Sequence, residues 1–414
     1  MKGDLVMMLR HRFLPFIVFG MLSSVCISKI SWATSSNDGP EIQVASEALA
    51  ESTHADGLKR IGDFGRVHLF GYGELHYNNP IGSSADEFDF HRFVIGLGFD
   101  FTEKIKFEAE LDFEHAFKEP ELEFAHIDFG LNDWATLRVG SLLVPMGVIN
   151  QHHEPPLFNG VERPTFYSVI IPTSWMEAGI GFYGNLSHGF DYQLYLMSTP
   201  KAVTLDGTGT FDQGFSGSTG IRGGRFKVVE APGRDVGGSF RLQNTYFPGF
   251  RMGTSAFLGN TAHGQAGVGG AFLAMIEADA KYSLEGIDLE GIFGFNSLSD
   301  AGNVNTVIAG GGGTNFVGSQ MLGYYLEAGY HLFYHLWPET KHDLIAFGRF
   351  EDIDTQYKIP AGFAKNQAND KRLVTAGLTY KPIPQIAIKA NYTWNWNDAN
   401  SGVDQFDAGI GFYY

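Results

Sequence analysis

Cysteine is nearly absent: one residue in 414, Cys26. A disulfide scaffold and Cys-x-x-Cys redox or zinc motifs are thereby excluded. Basic charge is also scarce, with 29 Lys and Arg against 46 Asp and Glu. A nucleic-acid binder needs a basic patch, so no nucleic-acid partner is expected. Beyond the N-terminal region, no apolar run approaches the ~20 residues of a spanning helix. Spanning strands remain open, because each needs only ~10 alternating residues. No Gly-x-Ser-x-Gly elbow occurs. The run Gly310 to Gly313 lacks a following Gly-Lys-Ser/Thr and reads as a flexible loop, not a phosphate cradle.

Glycine is plentiful, at 53 residues, and 14% of the chain is aromatic. Both are too high for a coiled coil or a disordered chain. Lys2, Arg10 and Arg12 precede an apolar stretch from Phe13 to Ile27, and Ser31-Trp32-Ala33 follows. A basic region, a mostly apolar core of about 15 residues and small residues before a cut form a secretory signal. Residues 1–33 are therefore expected to be removed, which discards Cys26. Residues 34–64 form a polar N-terminal segment, with room for one short helix near Glu41 to Glu51.

From residue 65 onward the pattern has period two. In Ile105 to Glu114, one face reads Ile, Phe, Ala, Leu, Phe and the other Lys, Glu, Glu, Asp, Glu. Successive strand side chains point to opposite sides, so this segment is oily on one face and ionic on the other. Sixteen such segments are predicted. They begin near Val67, Phe88, Ile105, Glu121, Trp134, Trp175, Gly189, Val236, Phe250, Gly270, Gly286, Met321, His342, Arg372, Gln385 and Gln405. No helix is evident between them. Connections after odd-numbered segments are often long (144–174, 199–235, 297–320, 354–371), and those after even-numbered ones short, 335–341 excepted. A transmembrane barrel sorts its turns in this way, and a soluble sandwich does not. The last segment places Phe406, Ala408, Ile410, Phe412 and Tyr414 on one face, as a strand closing onto the first would require.

The expected fold is all-β: a closed antiparallel transmembrane β-barrel of about 16 strands over 65–414. Barrels of that size enclose an aqueous channel. The same parity assigns Arg92, Lys106, Glu108, Glu110, Asp112, Glu114, Arg138, Asp288, Glu290, Arg349, Glu351 and Lys389 to the pore lining. Acidic positions outnumber basic ones by more than two to one in the wider set. Rings of carboxylates favour cations, so weak cation preference or no selectivity is expected.

The connection 144–174 carries His152, His153, Glu154, Glu162 and Arg163 between stiffening prolines at 155, 156, 164 and 172. Long loops in compact folds are usually functional. Folded inward, this third outer loop would bring those five residues to a pore constriction. His152-His153-Glu154 is not read as a metal site, because adjacent ligands rarely converge on one ion. No metal, cofactor or catalytic residue is expected.

Several short motifs carry a resemblance. They are Leu137-Arg138-Val139-Gly140 leading to Pro145-Met146-Gly147, Ile171-Pro172-Thr173-Ser174-Trp175 with Gly179-Ile180-Gly181-Phe182-Tyr183-Gly184, Arg349-Phe350-Glu351-Asp352, and Leu378-Thr379-Tyr380-Lys381-Pro382-Ile383-Pro384. Together they resemble the phosphate-selective porin O/P family of bacterial outer membranes across most of 65–414. The resemblance implies a sixteen-stranded porin, often a homotrimer, with an inward-folded third outer loop. Its phosphate-selective members carry a lumenal Arg ladder and a Lys cluster, which this acidic candidate lumen does not repeat. The expected partners are outer-membrane lipid and lipopolysaccharide, small hydrophilic solutes, and the outer-membrane assembly machinery reading the strand that ends at Tyr414. Alternatives from other classes are a phosphate- or anion-selective porin, a barrel enzyme, and a surface binding barrel without transport.

Overall fold

The computed structural model describes residues 62–63 and 66–414. The expected signal peptide and the helix near Glu41 to Glu51 lie outside the described residues. Sixteen long strands follow in chain order. They are β1 (Val67–Pro80), β2 (Glu87–Asp100), β3 (Ile105–Glu114), β4 (Glu119–Asn132), β5 (Ala135–Leu143), β6 (Met176–Asn185), β7 (Phe190–Ser198) and β8 (Val236–Asn244). They continue with β9 (Phe250–Asn260), β10 (Phe272–Leu284), β11 (Ile287–Leu298), β12 (Gln320–His331), β13 (Asp343–Lys358), β14 (Asp370–Ile383), β15 (Ile386–Asn397) and β16 (Gln405–Tyr413). Each starts within two residues of its predicted position.

Every strand pairs antiparallel with its neighbours, and β16 returns to β1 through Phe406↔Asn79 to Tyr413↔Tyr72. Just past β16, Tyr414 donates its N–H to the Gly71 carbonyl at 2.8 Å and accepts from the Gly71 N–H at 3.0 Å. The sheet is a closed ring, so none of these sixteen strands is left as an edge. Gly62–Asp63 adds a two-residue strand against His68 and Leu69 of β1.

The two faces of the ring are chemically opposite. Leu111 is 47% exposed, while its neighbours Glu110 and Asp112 are 5% and 2% exposed. Leu97, Ile180, Leu196, Ile276, Leu326 and Ile388 are exposed in the same way, and Arg92, Arg241, Glu277, Arg349 and Lys389 are buried. A protein surrounded by water has the reverse arrangement. An apolar band outside a polar interior is the pattern of a barrel surrounded by hydrocarbon.

Connections also obey the predicted sorting. Those after even-numbered strands include 133–134, 285–286 and 384–385, and those after odd-numbered ones include 144–175 and 199–235. One expectation fails: the connections do contain helices. They are α1 (Phe166–Val169), α2 (Ala301–Gly310) and α3 (Leu332–Leu336). In α2, Ala301, Val304 and Ile308 are buried along one stripe, and Asn305 exchanges hydrogen bonds of 3.0 and 2.9 Å with Val317. Glycines around and within that short stripe hide it from a periodicity scan, and tertiary packing, rather than propensity, holds it. Gly310 to Gly313 lies at the C-terminal end of α2, where carbonyls rather than N–H groups are free to point at a ligand.

Candidate functional site

Among the described residues, the 144–175 connection is the most buried segment outside the strands. Val144, Met146, Phe166, Ile170, Ile171 and Trp175 are fully buried. Its contacts run to the polar-face positions of strands far apart in the ring. Lys389 of β15, 4% exposed, donates from Nζ to the carbonyls of Pro155, Phe158 and Gly160 at 2.5, 2.8 and 2.8 Å. Asn391 accepts from the Val161 N–H at 2.8 Å. Glu351 of β13 accepts from the Phe166 N–H at 2.9 Å, and Asn296 of β11 donates to the Ile170 carbonyl at 2.7 Å.

Two glycines make the fit possible. A Cβ on Gly411 of β16 would lie 2.2 Å from Pro155, and one on Gly294 of β11 would lie 2.8 Å from the Phe166 ring. Any side chain there would push the connection off the wall. The high glycine content thus has a partial reason in backbone clearance.

The five residues expected at a constriction separate into two groups. His153 faces β1–β4, where its Nε2 lies 2.8 Å from the Tyr72 hydroxyl and 2.9 Å from Glu123 Oε1. Tyr72 donates to Glu123 Oε2 at 3.0 Å. Arg92 reaches Tyr72 at 3.1 Å, Glu114 at 3.0 Å and Ser174 at 2.6 Å, and Asp112 at 3.7 Å as an ion pair. Burial pushes the Glu154 carboxyl up, against the pull of His153. His152 sits half-buried in the same turn.

Glu162 and Arg163 lie elsewhere. Glu162 accepts from His76 at 3.0 Å and Asn78 at 2.9 Å. Burial would raise its pKa, but the His76 hydrogen bond holds it at about 2. Arg163 donates to Thr173 at 3.2 Å, and burial together with the Arg92 charge depresses its pKa. Both residues line a cavity of about 160 Å³ with Glu74, His76, His91, Ser168, Thr173 and Arg222. The cavity carries carboxylates and guanidinium groups together.

The expected lining residues form a paired lattice. Arg138 holds Asp128 bidentately at 2.7 and 2.6 Å, and Tyr183 donates to the same carboxylate at 2.6 Å. Arg349 bridges Glu327 and Glu351 at 3.0 and 3.2 Å. Asp288 meets His331 at 3.2 Å, Glu290 accepts from the Tyr325 hydroxyl, and Glu108 lies 3.6 Å from His126. Lys106 is exposed at the start of β3.

Sequence parity missed two sets. Glu123 and His91 fall out of alternation because β4 and β2 each carry a register shift, opposite Glu110/Leu111 and Glu74/His76. A bulge flips the side-chain parity beyond it. Arg222 and Arg225 come from the 199–235 connection. Arg225 donates to the carbonyls of Thr173 and Ser174, and burial beside Arg222 lowers its pKa to about 9.

Comparison with solved proteins places this ring in a class. Salmonella typhi OmpF, solved with daunomycin, aligns over 86% of this chain and 100% of its own, with TM-score 0.56 and 12% identity. An anion-selective porin from Comamonas acidovorans covers 84% and 99%, with TM-score 0.52 and 15% identity. The outer membrane channel DcaP of Acinetobacter baumannii covers 84% and 97%, with TM-score 0.53 and 9% identity. The fold is that of the sixteen-stranded porins. No protein-family model matches the chain. At the level of sequence it is 31% identical over 338 residues to an uncharacterized protein of Aquifex aeolicus (strain VF5), covering 79% of this chain and 75% of that one, and it belongs to that protein's family.

Proposed function

We propose that this chain is an outer-membrane porin, a passive diffusion channel for ions and small hydrophilic solutes. The observation that carries the proposal is the inverted ring: exposed leucines alternate with buried, paired charges around sixteen closed strands. Buried ions in such number are tolerable only beside water. In this reading the 144–175 connection folds into the lumen as the constriction, with His152, His153, Glu154, Glu162 and Arg163 on it. Residues 1–33 direct export and are removed. Lipid and lipopolysaccharide surround the barrel, the assembly machinery recognises β16, and three copies associate.

Selectivity is weakly cationic or absent, because the guanidinium groups of the lattice are offset by a larger set of carboxylates. A second reading, anion preference, is favoured by one observation: Arg163 and Arg222 share one cavity, and Arg225 adjoins them. It would also suit the O/P-family resemblance. Planar-bilayer recording of the refolded protein tests both. Stepwise openings with a reversal potential near zero or cation-selective in a KCl gradient support the first reading. A clearly anion-selective potential selects the second. A barrel that inserts but stays closed rejects the channel in favour of an enzyme or a binding barrel.

A further inference from the structure

Glu123 Oε1 and Asp112 Oδ1 are buried without a hydrogen bond, and close by is Glu110 of β3, 5% exposed. Its charged neighbours include Glu123, Glu154 and Asp112, against Arg92. Carboxylates buried this way need a counter-charge or a proton. Glu123, 1% exposed, is turned toward Glu110 by the register shift in β4. His153 completes a triad: one ligand-type atom each from Glu110, Glu123 and His153 lie within 4.8 Å of one another.

The imidazole is oriented for this. Its Nδ1 lies 3.0 Å from the Asn150 carbonyl, an acceptor only, so Nδ1 carries the proton. Asn150 is fixed in turn by hydrogen bonds to Val144 and Trp175 at 2.8 and 3.0 Å. Nε2 is thereby aimed at Glu123 Oε1, 2.9 Å away, and at the Tyr72 hydroxyl, 2.8 Å away. With the Tyr72 hydroxyl turned to Glu123 Oε2, the approach of Nε2 to Glu123 Oε1 calls for a proton or a metal ion between them. A second proton on His153 would satisfy Glu123 and leave Glu110 to Arg92 or to a proton of its own. A divalent ion would satisfy all three. A backbone carbonyl fixing the remote nitrogen is also the usual outer partner of a metal-bound histidine.

We infer that Glu110, Glu123 and His153 form a binding site for a divalent first-row transition ion, which fastens the 144–175 connection to β3 and β4. One imidazole and two carboxylates suit Zn²⁺, Mn²⁺, Fe²⁺ or Co²⁺. Bonds of about 2.0–2.2 Å place tetrahedral ligands roughly 3.4 Å apart, so the His153–Glu123 pair at 2.9 Å opens slightly and the triad as a whole, within 4.8 Å, needs only a small rearrangement. The ion's remaining positions fall to water or to Asp112, whose Oδ1 is buried without a hydrogen bond. The ligands are two strand residues and one connection residue, and adjacent His152 and Glu154 are not needed.

The test uses metal-stripped full-length protein refolded in detergent and titrated with Co²⁺, then Zn²⁺. The expected result is one equivalent of Co²⁺ per chain, with visible absorption bands that Zn²⁺ abolishes. His153→Gln and Glu110→Gln should each weaken binding at least tenfold, while His152→Gln should not. Thermal unfolding of the wild type should rise with added Zn²⁺, and that of the two weakened variants should not. Absence of stoichiometric uptake by a folded wild type overturns the site. So does uptake that survives in both variants, or that is lost instead in His91→Gln or His115→Gln, since Asp89, His91 and His115 form a separate triad. Because metal uptake is read without a bilayer, its failure is distinguishable from failure of the channel proposal.

Discussion

The two halves of the 144–175 connection hold to the barrel wall by different forces. From Pro155 to Glu162 the grip is mostly polar: Lys389 takes three carbonyls, Asn391 the Val161 N–H, and His76 and Asn78 take Glu162. From Phe166 to Ile171 it is mostly apolar. The Phe166 ring meets Tyr167 and Tyr325 at centroid distances of 5.3 and 5.9 Å, and Ile170 and Ile171 are fully buried. Apolar packing resists salt and pH. Charge-assisted hydrogen bonds are specific in direction but answer to both. One segment is thus anchored rigidly at one end and adjustably at the other.

Breaking the apolar anchor should have the largest effect. Phe166→Ala should cost about 3–5 kcal/mol of packing, measured by urea unfolding in lipid vesicles, and should make single-channel current noisy. Lys389→Met comes next. It leaves three carbonyls beside a hydrocarbon side chain and removes the contact of Nζ with the Phe158 ring at 3.9 Å. A loss of about 2–3 kcal/mol is expected, with faster protease cleavage near Pro155 but unchanged cleavage near Phe166.

Acid should sharpen the same contrast. The Glu162 pKa lies below that of a free carboxylate, so its ionised form contributes stability above the ordinary value of about 4.3. That contribution fades as pH falls through about 4 toward 2. Because Glu162 is partly exposed, the loss is modest. Current noise should rise across that window in the wild type, and Glu162→Gln should show it already at pH 7. The smallest effect belongs to selectivity. Arg222→Ala should move the reversal potential a few millivolts toward cation preference without changing urea stability.

Much of the ring was legible in the residues. Ile105 to Glu114 alone fixes which side of the wall is oily, and alternation carries that assignment from strand to strand. Glu123 and His91 were illegible because each lies beside a register shift, and a shift depends on what the partner strand presents. Arg222 and Arg225 were illegible for another reason: long connections have no period, so only tertiary packing brings 199–235 to Thr173 and Ser174. Helix α2 was hidden by its glycines. For His153 the chain shows only its neighbour in sequence, Glu154, whereas the carboxylate 2.9 Å away is Glu123 of another strand.

The join between β16 and β1 has a consequence for assembly. Asn78 hydrogen-bonds Asp407 across a separation of 329 positions, so this seam is the costliest contact of the ring to reach by chance encounter. It can form only if the fifteen other interfaces are already in register. A slip of one residue at any of them would arrive at the seam as a strand turned oily side in. Ring closure therefore acts as a proofreading step, rejecting an error made anywhere along the wall.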